Sequence, residues 1–399
     1  MDITISPGLL AGAVQAIPSK SQAHRILICA AFSDRQTSIH CPQTNQDIEA
    51  TADCLRALGA SITRTDIGYT VQPIVSIPKK AVMDCRESGS TLRFMLPIVG
   101  ALGVSATFVM AGRLPTRPLS PLWEEMQRMG CTLNRETSNT ISCTGQLKPG
   151  QYTIDGSVSS QFITGLLFAM ALMPSQSQLI ITGKIESLPY IQLTQQVLEM
   201  FGVHTDDYTV RSSRPFRSPG RITVEGDWSN GAFFLAAACM GSSIYVEGLD
   251  YQSTQGDKAC DAILQRLPKG FATIDAADIP DLVPILAVAA AAHKGASFLN
   301  IGRLRLKESD RVASVIAMLR GFGVEAYSDA DTLTVKPGIF SSGVIDAVSD
   351  HRIAMAAAIA ATVSTGPVTI LDAHCVSKSY PSFWDEYCRL GGHYEQYIR

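Results

Sequence analysis

The residues most able to do chemistry stand in one short stretch, Arg303-Leu304-Arg305-Leu306-Lys307-Glu308-Ser309-Asp310-Arg311. Asp281 precedes it, in Asp278-Ile279-Pro280-Asp281. Asp281 and Glu308 are two carboxylates with lysine and arginine close in sequence. Such pairs can move protons between a hydroxyl and a carbon. Glu308 beside two cations is expected to stay ionised in the resting site. The bland alternatives are also open: Asp281 as a helix cap, and the basic stretch as a solvated strand end. Lys20, Arg25, Arg93, Arg117, Arg311, Arg352 and Lys378 form a wider cationic set. Arginine matches carboxylates and phosphates bidentately, and lysine supplies a mobile point charge. Ser159, Ser160 and Gln161 add hydroxyl and amide donors, although a Ser-Ser pair is equally a plain N-cap. Gly89 lets the backbone approach a ligand closely. The combined chemistry is that of a binder of small, multiply charged anions.

These residues fall on or beside six helix-start signals. They are Ser21-Gln22-Ala23-His24-Arg25, Ser90-Thr91-Leu92-Arg93, Ser159-Ser160-Gln161, Ser229-Asn230-Gly231, Pro280-Asp281-Leu282 and Asp350-His351-Arg352. First residues at 21, 90, 159, 229, 280 and 350 leave gaps of 69, 69, 70, 51 and 70. Each signal opens an apolar run, so the chain reads as a sixfold repeat that brings helix N-termini to a site. The second half of the repeat is an amphipathic helix, a small-residue turn and two short strands. Residues 48–60 with Ile62-Thr63-Arg64 and Gly68-Tyr69-Thr70-Val71 show it first, and it returns after 122, 191 and 312. The fifth copy is eroded. A helix over 258–267 is followed only by Pro268-Lys269-Gly270-Phe271 before Ala272-Thr273-Ile274. That unit has lost a hairpin or had it cut to a turn. Arg303, Arg305 and Lys307 alternate with leucines, which predicts a strand.

Composition sets the frame. A chain of 399 residues can fill two cores. Three repeats per domain is the natural grouping, giving lobe one from 1–18 plus 227–399, with the N-terminal segment returning as a strand, and lobe two from 19–226. A ligand site between two such lobes is expected to be a closing cleft. The net charge of −3 carries no overall basic footprint for nucleic acid. No apolar run reaches 18 residues, so no membrane partner is expected, and 162–173 reads as a buried helix. The start of the chain lacks a signal-peptide pattern. Ten cysteines without a C-x-x-C pair fit a reducing cytoplasm and no structural metal. Neither G-x-G-x-x-G after a strand nor a phosphate-loop signature is present.

Taken together, the motifs resemble the enolpyruvyl transferase family along nearly the whole chain. The blocks are Ser19-Lys20-Ser21-Gln22-Ala23-His24-Arg25, Ser88-Gly89-Ser90-Thr91-Leu92-Arg93, Arg117-Pro118, Gly156-Ser157-Val158-Ser159-Ser160-Gln161, Glu225-Gly226-Asp227-Trp228-Ser229, Ile279-Pro280-Asp281, Leu306-Lys307-Glu308-Ser309-Asp310-Arg311, Asp350-His351-Arg352-Ile353-Ala354-Met355 and Cys375-Val376-Ser377-Lys378-Ser379-Tyr380-Pro381. The resemblance implies an α/β fold of two inverse α/β barrel-like lobes, each with three helix-and-strand units, and an active site in the interdomain cleft. It implies a monomer without cofactor or metal.

The implied reaction joins phosphoenolpyruvate to shikimate 3-phosphate. The 5-hydroxyl adds to C2 while C3 is protonated, and phosphate leaves the tetrahedral intermediate. By resemblance, Lys20, Ser21, Arg25, Ser159, Ser160, Ser187, Tyr190, Asp281 and Lys307 hold shikimate 3-phosphate, and Arg303 adds a contact to it. Gln161 lies between the substrates. Lys20, Gly89, Arg117, Arg311, Arg352 and Lys378 hold phosphoenolpyruvate. Glu308 serves the methylene carbon, and Asp281 the 5-hydroxyl with Lys20 or Lys307 near it. Roughly six cations are expected to neutralise the two substrates. Gly89 leaves room for glyphosate as an inhibitor.

Glu87 stands where many members have Asn, and Arg303 where Asn is frequent. The sister enzymes acting on UDP-N-acetylglucosamine carry a cysteine where this chain has Gly112. That activity, and an idle homologue serving as a scaffold, are the alternative readings.

Overall fold

In the computed structural model, which describes residues 1–211 and 215–397, the chain divides into two compact units. A central unit comprises Pro18–Val224, and a terminal unit comprises Met1–Ile17 with Glu225–Arg399. Each has its own apolar core.

The local sequence explains where the helices begin. Ser19, Ser88 and Ser159 stand just before the helices Lys20–Ala31, Gly89–Leu102 and Ser160–Ala171, and each side chain accepts a backbone N–H of the first turn. Asp227 and Asp350 do the same for Trp228–Cys239 and His351–Ala361. Such a cap is worth about 1 kcal/mol. The sixth repeated helix, Val283–Ala292, starts differently. Leu282 occupies its cap position without a side-chain bond, and Pro284 lies in the first turn. Asp281 is therefore not a cap. These helices are apolar nearly all round and buried, the pattern of a core helix. Residues 162–173 are part of that core.

The central unit contains three four-stranded sheets of one design. A parallel pair is extended by an antiparallel hairpin. Arg221–Thr223 and Thr37–His40 are joined by Gly68–Gln72 and Ser61–Thr65. Lys80–Asp84 and Ser105–Val109 are joined by Thr140–Gly145 and Cys131–Thr137. Gln151–Asp155 and Ser177–Thr182 are joined by Thr209–Val210 and Thr205–Asp206.

The terminal unit repeats the design twice. Ala272–Asp275 and Ala296–Leu299 receive Thr332–Val335 and Ala326–Ser328. Gly343–Asp346 and Val368–Leu371 receive Asp2–Ser6 and His393–Tyr397. The N-terminal segment also supplies Ala11–Gln15, which pairs in parallel with Ser243–Glu247. That third sheet has only these two strands among the described residues. After the helix Ala259–Arg266 the chain makes one 3-10 turn, Leu267–Lys269, and enters Ala272–Asp275 directly. The eroded fifth unit has thus lost its whole hairpin.

One expected element is corrected. Gly302–Leu306 is a 3-10 helix, not a strand. Asn300 at φ 58° turns the chain out of Ala296–Leu299. Ile301 and Leu304 are both fully buried, whereas Leu306 is 46% exposed. Burial follows a three-residue step, so the leucine alternation does not mark a sheet face.

Candidate functional site

The terminal unit gathers its charged residues around Asp281. Lys307 Nζ lies 3.3 Å from Asp281 Oδ1, and Arg311 Nη1 donates to the same oxygen. Arg352 Nη2 donates to Asp281 Oδ2 at 3.1 Å, and its Nη1 to the Asp281 carbonyl at 3.2 Å. Arg311 also donates from Nη2 to Glu308 and from Nε to Asp350 Oδ2, the latter at 2.9 Å. Three elements deliver these groups. Asp281 precedes Val283–Ala292, Arg311 opens the helix Arg311–Gly321, and Arg352 lies in the first turn of His351–Ala361. Charges near helix starts are held by short backbone, capped by Asp310 and Asp350 for the helices of Arg311 and Arg352, and lose little freedom on binding.

Asp350 is the hub that sequence reading did not assign. It is fully buried. Its Oδ1 accepts the Arg352 N–H at 3.0 Å, while Oδ2 takes Arg311 Nε and, at 3.0 Å, the Ser309 hydroxyl. One carboxylate thereby sets both arginines. Its only signal in the sequence is an aspartate at a helix start, which reads as a cap.

The electrostatics follow from these contacts. Burial alone would raise the Asp281 pKa, but Arg352, Lys307 and Arg311 outweigh it and hold the carboxyl well below its ordinary value. Burial likewise opposes ionisation of Asp350, and Arg311 reverses that. Arg311 is held charged by Asp350, Glu308 and Asp281 against its own burial. Lys307 is different. Burial is the largest influence and brings its pKa down to about 8, with Arg311 and Arg303 adding to the fall and Asp281 opposing it. Lys307 is therefore the group of this cluster that titrates near neutrality. The three cations in contact here face three carboxylates, so this cluster is not the bare cationic patch that the sequence suggested.

Arg303 acts on Lys307 through its charge. Lys378 ends the 3-10 helix Ala373–Lys378 and donates to the Ser349 carbonyl at 3.0 Å, beside Asp350 in sequence.

The central unit builds a second constellation. Arg25 is 3% exposed, and its four hydrogen-bond partners are neutral: Ser21 O, Thr194 Oγ1, Thr164 Oγ1 and Tyr190 O. Burial lowers its pKa to about 10, which still leaves it charged at neutral pH. Ser21 and Tyr190 are thus tied to Arg25 through their carbonyls, and Ser187 O accepts the Tyr190 N–H. Ser187 itself is buried at φ 55° ahead of the helix Leu188–Met200. A buried cation met only by neutral acceptors is suited to an anionic ligand. Lys20 differs, being paired with Asp47 at 2.9 Å.

Arg93 Nη1 donates to Gln161 Oε1 at 2.7 Å, and Gln161 Nε2 donates to Ser90 Oγ at 2.9 Å. Gly89 explains itself here. A Cβ at this position would lie 2.7 Å from Arg117 Nη1 and 2.8 Å from Arg93 Nη1. Only glycine lets both guanidinium groups close over the helix start. Ser159 is the cap and Ser160 the first helical residue beside Gln161. Glu87 packs over the Cα of Gly112, in the segment that leads to Arg117. Arg93, from the cationic set, and Ser90 thus belong to this constellation, and Asp47, which the sequence reading did not name, joins it through Lys20. Among the described residues no cluster of histidine, cysteine and acidic side chains could hold a metal ion, and no helix is long and apolar enough to cross a membrane.

Comparison with known proteins supplies the chemical context. The family model for EPSP synthase (3-phosphoshikimate 1-carboxyvinyltransferase) matches residues 6–274 and 263–387. The 3-phosphoshikimate 1-carboxyvinyltransferase of Clostridium beijerinckii is 35% identical over 430 aligned positions, covering 99% of each chain. That of Clostridium perfringens is 36% identical over 423 positions, covering 98% of each. The solved EPSP synthase of Acinetobacter baumannii superposes with a TM-score of 0.79 at 22% identity, covering 99% of this chain and 100% of the other. That likeness establishes the fold.

Proposed function

Because the chain belongs to the EPSP synthase family, we propose a division of labour among its residues for that family's reaction. The chain transfers the enolpyruvyl group of phosphoenolpyruvate to the 5-hydroxyl of shikimate 3-phosphate, a step of aromatic amino acid biosynthesis. The observation that best supports the assignment of roles is the contrast between the two constellations. In the central unit Arg25 has only neutral partners. In the terminal unit the Asp281 carboxylate is held ionised beside a lysine whose pKa burial brings down to about 8.

Arg25, Ser21, Ser159, Ser160, Ser187 and Tyr190 hold shikimate 3-phosphate, with Lys20 shared between the substrates. Gly89, Arg117, Arg311, Arg352 and Lys378 hold phosphoenolpyruvate. Gln161 bridges the two, because its amide is already fixed by Arg93 and Ser90. Asp281 is held too low in pKa to be a strong base. It orients the 5-hydroxyl by accepting its proton in a hydrogen bond. Lys307 is better matched to exchange that proton. Glu308 takes up a proton as the two anionic substrates bind, delivers it to C3, and as the carboxylate withdraws a proton from C3 in the elimination. C2 gains the new C–O bond as C3 gains a proton; when phosphate then leaves C2, Arg311 and Arg352 stabilise the negative charge that develops on it. Loss of that phosphate, with return of the C3 proton to Glu308, restores the double bond.

The Lys307 assignment is tested by pH. The neutral form of Lys307, the form that can take the 5-hydroxyl proton, is scarce below its pKa and predominates as pH rises past about 8. We expect kcat/KM for shikimate 3-phosphate, which reports the free enzyme, to rise about tenfold per pH unit below that point and to level off above it. Lys307→Met should lower kcat/KM throughout and flatten this limb. A limb that survives in the variant would assign it to another group.

Gly89 tests the phosphoenolpyruvate assignment. Gly89→Ala forces the guanidinium tips of Arg117 and Arg93 to move, a shift that flexible side-chain ends make at little cost to stability but that displaces both charges. We expect KM for phosphoenolpyruvate to rise about tenfold, inhibition by glyphosate to weaken at least as much, and KM for shikimate 3-phosphate to change little. Unchanged phosphoenolpyruvate kinetics would remove Gly89 and Arg117 from that site.

We also assign the chain to the cytoplasm. All ten cysteines are free thiols, which a reducing compartment preserves.

A further inference from the structure

The lost hairpin leaves a strand edge that every other sheet of the molecule covers. In the five four-stranded sheets, the second strand of the parallel pair is flanked on its far side by an antiparallel strand. The corresponding strand here is Ser243–Glu247, and among the described residues it pairs only with Ala11–Gln15. The Clostridium beijerinckii relative aligns over 430 positions with this chain of 399, so it carries segments that this chain lacks.

The chemistry of the edge can be read residue by residue. Ser243 donates its N–H to Leu10 O at 2.9 Å, and Glu247 O accepts from Ala16 N at 2.8 Å. The main-chain groups of 243 and 247 therefore face the neighbouring strand. By strand alternation, Ile244 and Val246 present their N–H and C=O groups to the open side. The strand has no lysine, arginine, proline or bulge, the usual devices that blunt an edge. Tyr245 is 72% exposed at its centre, and Tyr251 and Leu9 are exposed at 61% and 56%.

We propose that a second copy of this chain covers the edge, the two strands pairing antiparallel about a two-fold axis at Tyr245. The sequence Ser-Ile-Tyr-Val-Glu is self-complementary in that register. Ile244 faces the partner's Val246, and both present free main-chain groups, so each such pair exchanges both hydrogen bonds. Tyr245 faces the partner's Tyr245 as an aromatic pair. Glu247, the only charge on the strand, faces the partner's Ser243, so no like charges meet. The product is a four-stranded sheet, the strand number of the other five. Closed two-fold pairing also leaves no further copy of this edge exposed. A five-residue edge is small beside the interfaces of permanent complexes, so the dimer forms with rising concentration. This goes beyond the monomer that the family resemblance implies, and it is independent of the residue roles proposed above.

Light scattering on the full chain across a dilution series reads the mass directly. The expected result is a shift from 42.8 kDa towards twice that value as concentration rises into the high micromolar range. Tyr245→Lys sets two like charges against each other and should stay at 42.8 kDa with unchanged turnover. Cys388 is the exposed native cysteine. In a Cys388→Ser background, Tyr245→Cys should cross-link into a covalent dimer on oxidation, and Ser243→Cys should not. A wild-type chain that remains at 42.8 kDa at every concentration would overturn the proposal. So would a dimer that Tyr245→Lys leaves intact.

Discussion

Glu308→Gln should lower kcat by about a hundredfold to ten-thousandfold, the usual contribution of a positioned acid or base, while binding of shikimate 3-phosphate is largely retained. Glutamine keeps an oxygen to accept from Arg311 Nη2, so the contact that places the side chain survives. What it loses is the ability to carry a proton to and from carbon. Equilibrium binding and single-turnover kinetics on the same preparation separate the two effects. Near-normal turnover would take Glu308 out of proton transfer. A loss confined to binding would reassign it to holding Arg311.

Asp350→Ala should be the most damaging change that touches neither substrate in the proposed roles. It removes a fully buried carboxylate that takes Arg311 Nε, caps the helix carrying Arg352 and accepts from Ser309. Breaking a buried ion pair from one side costs about 3–5 kcal/mol. Arg311 retains Glu308 and Asp281, which places the expected loss of stability at the lower end of that range. Arg311 also loses the partner of its Nε, and the helix carrying Arg352 loses its cap, so affinity for phosphoenolpyruvate should fall much more than affinity for shikimate 3-phosphate. Asp350→Asn separates the contributions. It keeps a cap acceptor and can donate from its amide to Ser309 Oγ, but it removes the charge and the acceptor of Arg311 Nε. We expect it to fold better than the alanine variant and still to bind phosphoenolpyruvate weakly. Denaturant melts and phosphoenolpyruvate titrations on both variants check this. Equal phosphoenolpyruvate affinity in wild type and Asp350→Asn would show that its charge does not set the arginines.

The difference between what the sequence disclosed and what it hid has a physical basis. The repeat was legible because its signals are local. A serine or aspartate followed by an apolar run states a helix start within a few residues: the signals at Ser21, Ser90 and Ser229 fall two residues after the caps Ser19, Ser88 and Asp227, and those at Ser159 and Asp350 are the caps themselves. The amphipathic helices and their hairpins are equally local, and the α/β class follows from them and from the relatives' fold. The missing hairpin was visible as a shorter repeat, but its consequence was not. An open edge is a property of neighbours, and pairing partners such as Ser243–Glu247 and Ala11–Gln15 lie far apart in sequence.

Gly302–Leu306 misled because leucine alternation imitates a strand when only Leu304 is drawn into the core. Asp350 was hidden for a similar reason. Its cap role is local, whereas its bond to Arg311 spans 39 residues. The ionisation pattern was also beyond local reading. Asp281 and Lys307 carry opposite shifts only because Arg311 and Arg352 converge on the first while burial dominates the second.

The central claim is tested most directly by phosphate release from purified protein given shikimate 3-phosphate and phosphoenolpyruvate, with each omitted in turn. The account predicts release only when both are present, with formation of the enolpyruvyl ether in equal amount. Release that needs phosphoenolpyruvate but proceeds with UDP-N-acetylglucosamine instead of shikimate 3-phosphate would contradict it. An absence of turnover, with shikimate 3-phosphate still bound, would contradict it as well and identify a homologue that binds without catalysing.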